Sequence, residues 1–413
     1  MIPYFQSLGE RIERVWVEHS YSDEIFARLA QDALEKDPPS ERVTVSEIVD
    51  WVFSPLQPFR QPGYNQLFGE PPVMVFQGQR FYIEALFWFS GTTSIHEHGF
   101  SGAFAVLAGS SVHSHWRFIP QRTINSRMLC GRLERVTTEI LRPGGIRPIH
   151  AGDQLIHQLF HLELPSVTIV VRTYEDRPNL PQYNYLPPGL AVDPLDQDQQ
   201  RIRRLILLRN MARGYLDGVG GLSEYARRMA ESSDLANLYP MFSSLTRREV
   251  DKELLGELYA IARERHGDVI DLFRQVCEEE RRTRLVVSRR AKTTDPEARF
   301  LLALLMLMPD RDSIFETIRL QFPGVEPLAA IETWLERMSG KQVIGFEFEG
   351  PNQLVFRALV EGLDEKGLLQ RAQADLPDDP YATQPGWLLD QARTMARSDL
   401  FQPLFSESPF RAG

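Results

Sequence analysis

The sequence predicts an α+β protein with three zones in chain order: helices, then a β-sandwich or barrel, then helices to the end. Three observations carry this. Between residues 73 and 175 apolar residues alternate with period two, most clearly in Arg80–Phe89. There Phe81, Ile83, Ala85, Phe87 and Phe89 face one way and Tyr82, Glu84, Leu86 and Trp88 the other. Glycine and proline turns such as Gly109-Ser110-Ser111 and Pro143-Gly144-Gly145 punctuate that zone. From about residue 198 to 400 the apolar spacing becomes helical, as in Leu254, Leu255, Leu258 and Ile261.

The first zone, residues 1–55, reads as helical because Ile12, Val15, Trp16, Ile25 and Leu29 recur at helical spacing. Asp37-Pro38-Pro39-Ser40 breaks it, and Ser46 with Glu47 opens a short second helix through Trp51. The middle zone, 56–185, holds further strands over Ala103–Ala108, Val112–Ile119, Met128–Leu141, Gln154–Glu163 and Ser166–Tyr174. The Pro-rich stretch Tyr183–Asp196 reads as a linker to an all-α domain over 198–413. Its most apolar run, Phe300–Met308, is too short to span a bilayer and reads as a buried helix.

At 413 residues the chain has room for two domains, and 43% hydrophobic with 25% charged residues fits a folded, soluble protein. A net charge of −10 offers no general attraction to nucleic acid or to an anionic membrane, so neither is an expected partner. Cys130 and Cys277 cannot build a disulfide framework, and no signal peptide is visible, so a cytoplasmic location is expected.

The sharpest signal is histidine: seven of the nine fall between positions 96 and 161. On a strand, His96 and His98 in SIHEH share a face while Glu97 points away. A third imidazole can come from His157 in QLIHQLFHLE, where His157, Leu159 and His161 share a face. Neutral imidazoles suit iron, zinc, nickel and copper alike. His113 and His115 form a second such pair, but it lacks a glycine approach and a matching later histidine, so it is not counted among the ligands. His150 reads as solvent-facing; Phe87, Trp88 and Phe89 read as barrel core.

The stretch SIHEHGFSGAFAVLAGS resembles the first cupin motif, with Gly91 and Gly109 at its glycine places, and PIHAGDQLIHQL resembles the second. That likeness implies a cupin (jelly-roll-like) β-barrel with His96, His98 and His157 as metal ligands. The best match within cupins, over residues 60–178, is the thiol dioxygenase group (cysteine dioxygenase and 3-mercaptopropionate dioxygenase), whose members hold Fe(II) with three histidines. As in that group, no acid stands where other cupins carry a glutamate ligand: Gly99, Phe100, Ser101, Gly102 and Ala103 follow His98. The group's tyrosine, 17 residues after the third histidine, falls on Tyr174.

The resemblance thus implies a non-heme Fe(II) oxygenase that uses O2 on a small thiol-, amine- or carboxylate-bearing substrate. Tyr174 would donate to bound oxygen, Arg172 would pair with a negative group of the substrate, and His161 would orient a ligand or substrate from behind. Two departures set it apart. Ala103 stands where some members carry a cysteine cross-linked to the tyrosine, and Arg172 replaces a histidine. Gln66, in GYNQLFG, falls by loose alignment at the place of the substrate-carboxylate arginine. A cysteine dioxygenase proper is therefore not expected.

Two other readings stay open: a redox-neutral metal-dependent cupin (isomerase or lyase), and a non-enzymatic ligand-binding cupin. The helical domain carries no motif for chemistry; shaping a pocket, forming a homodimer and recruiting a carrier protein are all open to it.

Overall fold

The computed structural model describes residues 2–54, 61, 68–89, 91–174, 181–196, 198–216, 221–248, 250–338, 340 and 343–411. The N-terminal zone folds as α1 (Pro3–Glu18), α2 (Asp23–Lys36) and α3 (Val45–Val52). The N-cap of α3 is Thr44, not Ser46. Its hydroxyl takes the Glu47 amide while the Glu47 carboxylate takes the Thr44 amide, a reciprocal capping box.

Eleven strands are described: β1 (Pro72–Gln77), β2 (Phe81–Trp88), β3 (Ile95–His98), β4 (Gly102–Ala108), β5 (Ser111–Asn125), β6 (Met128–Leu141), β7 (Ile146–Ile149), β8 (Gly152–His161), β9 (Ser166–Thr173), β10 (Asn184–Leu186) and β11 (Leu190–Val192). They form a five-stranded sheet in the order β1-β2-β9-β4-β7 and a closed barrel in the order β10-β11-β6-β5-β8-β3. Helices follow: α4 (Gln199–Met211), α5 (Leu222–Ser232), α6 (Leu235–Thr246), α7 (Lys252–His266), α8 (Val269–Arg290), α9 (Pro296–Leu307), α10 (Arg311–Gln321), α11 (Pro327–Arg337), α12 (Gly350–Val360), α13 (Glu365–Asp375) and α14 (Pro385–Ala396). The chain is thus α+β, with an antiparallel barrel between N-terminal helices and an all-helical C-terminal region.

The period-two alternation sorts the five-stranded sheet into two faces. Phe81, Ile83, Ala85 and Phe87 meet Phe5, Leu8, Ile12, Trp16 and Phe26 in one core beneath the N-terminal helices. The other face gives Leu86 and Val170 to a second core with Phe100, Phe104, Ile149, Leu155 and Leu159. Gly109 closes the turn from β4 to β5 at φ +74°, where a Cβ would also stand 2.9 Å from the Pro165 carbonyl oxygen.

The stretch Tyr183–Asp196 is not a free linker. It supplies β10, paired with β3, and β11, paired with β6. Met128, Cys130 and Leu190 then join Leu205, Leu208, Leu238, Phe242 and Phe273 of the following helices in one core. By its internal contacts the chain divides inside α8, between Arg281 and Arg282, and not near residue 198. The first unit is Met1–Leu159 with Pro165–Arg281; the second is Phe160–Leu164 with Arg282–Gly413. Within the second unit α9 is buried from Ala298 to Leu307, as its apolar run predicts. There Arg290 donates to the His161 carbonyl at 2.8 Å, and Arg299 to the Leu162 carbonyl at 2.9 Å.

Candidate metal centre

β3 and β8 bring the three histidines together. His96 lies opposite His157 in the ladder, and a register shift between His96 and His98 moves His98 opposite Gly152. All three are buried, and one nitrogen of each falls within 4.8 Å of the others. Glu97 points away, as the alternation requires, and accepts from the Tyr185 hydroxyl at 2.7 Å and the Tyr183 amide at 3.0 Å.

The hydrogen-bond network assigns the ring protons. His96 Nδ1 lies 2.8 Å from the Ser94 carbonyl, which can only accept, so Nδ1 carries the proton and Nε2 a lone pair. His157 is set by a chain two residues deep. Glu139, held by Arg147, accepts from His113 Nδ1 at 3.0 Å, and His113 Nε2 stands 3.0 Å from His157 Nδ1. With a proton on Nδ1 alone, His113 would accept through Nε2, so that His157 would donate from Nδ1 and keep a lone pair on Nε2. The hydrogen bond from His113 holds the Glu139 carboxyl down at about 2 against its partial burial, with Arg147 assisting.

His98 closes the set. Its Nε2 is 2.9 Å from His157 Nε2, and its Nδ1 has no hydrogen-bond partner among the described residues. With its proton on Nε2, His98 donates to His157; with the proton on Nδ1, the two Nε2 lone pairs face each other, and a cation between them would take both. Burial holds His96 down to about 4, opposed by its bond to Ser94 and aided by His113. It also pushes His98 and His157 well below the ordinary imidazole range, with neighbouring cationic groups adding to the shift. Three buried imidazoles, two of them oriented through Nδ1 by Ser94 and His113, are what a first-row divalent ion takes as ligands, and these residues fit one.

The histidines open onto a cavity of about 50 Å³ walled by apolar groups including Phe68, Leu86, Trp88, Phe100 and Phe104. Two charged residues enter this wall. Arg172 Nη1 stands 3.5 Å from Glu84 Oε1, and its guanidinium lies 3.5 Å from the centre of the Phe100 ring. Burial raises the Glu84 carboxyl, and Arg172 opposes the shift.

Of the other predicted residues, Arg172 lines this cavity and Tyr174 does not. Tyr82 pairs with Arg172 across the β2–β9 ladder, so Tyr174 lies beyond the strand end at the rim. There its ring meets Tyr82 at 5.2 Å and its exposed hydroxyl donates to the Gly78 carbonyl at 3.1 Å. The shared face was read correctly; the depth was not. His161 is buried in the second unit, its imidazole pushed down to about 3 by burial and then by Arg290, and it does not line the cavity. Gln66 lies outside the described residues. Ala103 faces the N-terminal helices, on the far side of its sheet from the cavity.

Sequence reasoning missed Glu84, Glu139 and the part played by His113. Glu84 carried a signal: it is the one acid on the strand face that also bears Tyr82, Leu86 and Trp88. Glu139 carried none, because it meets His113 only through the β5–β6 register.

No family model and no curated protein matches the chain. Among solved structures it is similar to hydroquinone 1,2-dioxygenase from Sphingomonas sp. TTNP3, at 12% identity over 27% of this chain and 70% of that one, with a TM-score of 0.21. A cupin-2 domain protein from Shewanella frigidimarina matches at 12% identity over 32% of this chain and 96% of that one, TM-score 0.19. A recombinant oxalate oxidase matches at 15% identity over 37% and 67%, TM-score 0.20. At these scores the likeness carries no argument, and the metal centre rests on its own geometry.

Proposed function

We propose that this chain is a mononuclear non-heme iron oxygenase that holds Fe(II) on His96, His98 and His157 and uses O2 to oxidise a small metabolite. The observation that carries the reading is the set of three converging, buried imidazoles, two of them held from outside through Nδ1. His96, His98 and His157 would hold the ion through neutral nitrogens, and Fe(II) there would supply the capacity to bind an electron-donating substrate and activate O2.

The chain's own residues do the rest. Ser94 holds the proton on His96 Nδ1, and Glu139 through His113 holds that on His157 Nδ1, so both rings present basic nitrogens. Apolar side chains make up most of the cavity wall. Glu84, paired with Arg172, supplies a polar group within it that can orient a substrate.

Anaerobic loading with Fe(II), followed by a metabolite screen for O2 uptake, tests this. Uptake that needs both iron and a metabolite supports the oxygenase. Turnover of a metabolite by the zinc- or nickel-loaded protein with no O2 uptake would replace it with a redox-neutral metalloenzyme.

A further inference from the structure

The expectation that Arg172 grips an anionic substrate fails on the surroundings of Arg172. Its guanidinium is spent on protein groups: Glu84 at 3.5 Å, the face of Phe100 at 3.5 Å, and the Thr173 and Tyr174 carbonyls at 3.4 Å each. Its charge is already matched by Glu84. What the cavity leaves without a partner is the other half of that carboxylate. Glu84 is 2% exposed, it lines the cavity, and its Oε2 has no hydrogen-bond partner among the described residues. A buried acceptor without a donor is costly, and a ligand that supplies the donor removes the cost.

We propose that Glu84, held by Arg172, is the specificity residue of this cavity, and that it selects a neutral, hydroxyl-bearing apolar molecule over a carboxylate. This rests on reading the cavity as the substrate site. In the metal-free protein a carboxylate would place a second anion beside Glu84, where the guanidinium of Arg172 is already engaged by Glu84 and Phe100. An ammonium would bring a third positive group into a space shared with Arg172 and a divalent ion. A hydroxyl both donates and accepts, so it satisfies Oε2 whether Glu84 is ionised or protonated. The aromatic and aliphatic walls then take the apolar body.

Position along the strands fixes the pair. Glu84 stands opposite Val170 in the β2–β9 ladder, so Arg172, two residues further on, is its diagonal neighbour on the same face. Gly102 stands opposite Arg172 on the other side of β9, where a Cβ would collide with the Val171 carbonyl oxygen. A larger residue there would push β9, and Arg172 with it, out of register.

The test is calorimetric binding of benzyl alcohol, benzoate and toluene to the metal-free full-length protein. Benzyl alcohol should bind about 10- to 100-fold more tightly than toluene, the factor for one hydrogen bond to a charged group, and benzoate more weakly than benzyl alcohol. Glu84→Gln frees Arg172 and should reverse the order, with benzoate now ahead of benzyl alcohol. The wild-type ranking alone decides the matter should that variant not fold. Benzoate equal to or ahead of benzyl alcohol in the wild type overturns the proposal. So does toluene matching benzyl alcohol, absence of binding by all three, or an unchanged order in a folded Glu84→Gln. Zinc retention, measured on the same wild-type preparation, separates the two claims. Zinc held without the hydroxyl preference sinks this inference alone, and the preference without zinc sinks the metal centre alone.

Discussion

His113 stands 3.0 Å from Glu139 on one side and 3.0 Å from His157 on the other, so the proton on His157 is decided by a carboxylate that touches no ligand atom. Groups that orient a metal-bound histidine in this way are worth about 10- to 100-fold in metal affinity. His113→Ala and Glu139→Gln should each weaken Zn(II) or Fe(II) binding by that factor while the far-UV spectrum stays unchanged. Because both act through one chain of hydrogen bonds, the double variant should bind about as weakly as either single one. Wild-type affinity in both single variants would show the chain to be idle.

Burial of the same histidines sets an acid limit on the metal-free protein. The folded His96 titrates at about 4 instead of its usual 6.5, so between those values the unfolded chain takes up a proton that the folded one refuses. Stability should therefore fall as pH drops through 6.5 and level off for this group below about 4, a loss of about 3 kcal/mol from His96 alone. Urea titrations of metal-free protein at pH 8, 6 and 4.5 would show it; an unchanged midpoint across the series would contradict a neutral, buried His96.

At the scale of elements, alternation was the most legible property of the sequence. Arg80–Phe89 gave β2 with its two faces as read from Phe81 to Trp88, while Phe89, read as core, falls past the strand and is exposed; the same pattern put His96 and His98 together with Glu97 opposed. The shortest strands were illegible for a physical reason. β7, β10 and β11 have three or four residues each, too few to show a period, and Pro148, Pro187 and Pro188 mark turns to any local reading. Their partners β3, β4 and β6 lie far off in the chain, so only the assembled sheets reveal them. Tyr174 failed likewise: its spacing fixed a face, and only the pairing of Tyr82 with Arg172 fixes how far down that face the cavity reaches. Gly109, by contrast, is needed where the sequence placed it. Gly109→Ala must hold φ +74° and crowd the Pro165 carbonyl, so it should cost about 1–3 kcal/mol in denaturant midpoint at constant slope. A change within error would mean that the turn relaxes freely.

For the whole molecule, the period change near residue 198 suggested two independent parts, and the contacts divide the chain elsewhere. β11 and the helices from α4 to the first half of α8 share the core of Met128, Cys130 and Leu190. A chain ending at residue 196 would expose that apolar face to water. It should be insoluble or bind a hydrophobic dye strongly, and the Asn184–Val192 stretch of the full chain should resist limited proteolysis. A soluble, cooperatively unfolding barrel from the shortened chain would restore the linker reading.

Metal content is the most direct measure of all. Full-length protein loaded anaerobically with Fe(II) and dialysed should retain one iron per chain. His98→Ala, its fold checked by circular dichroism, should retain almost none, because it removes one of the three converging nitrogens. Full retention of iron by folded His98→Ala, or none by the wild type, would contradict a metal centre built on His96, His98 and His157.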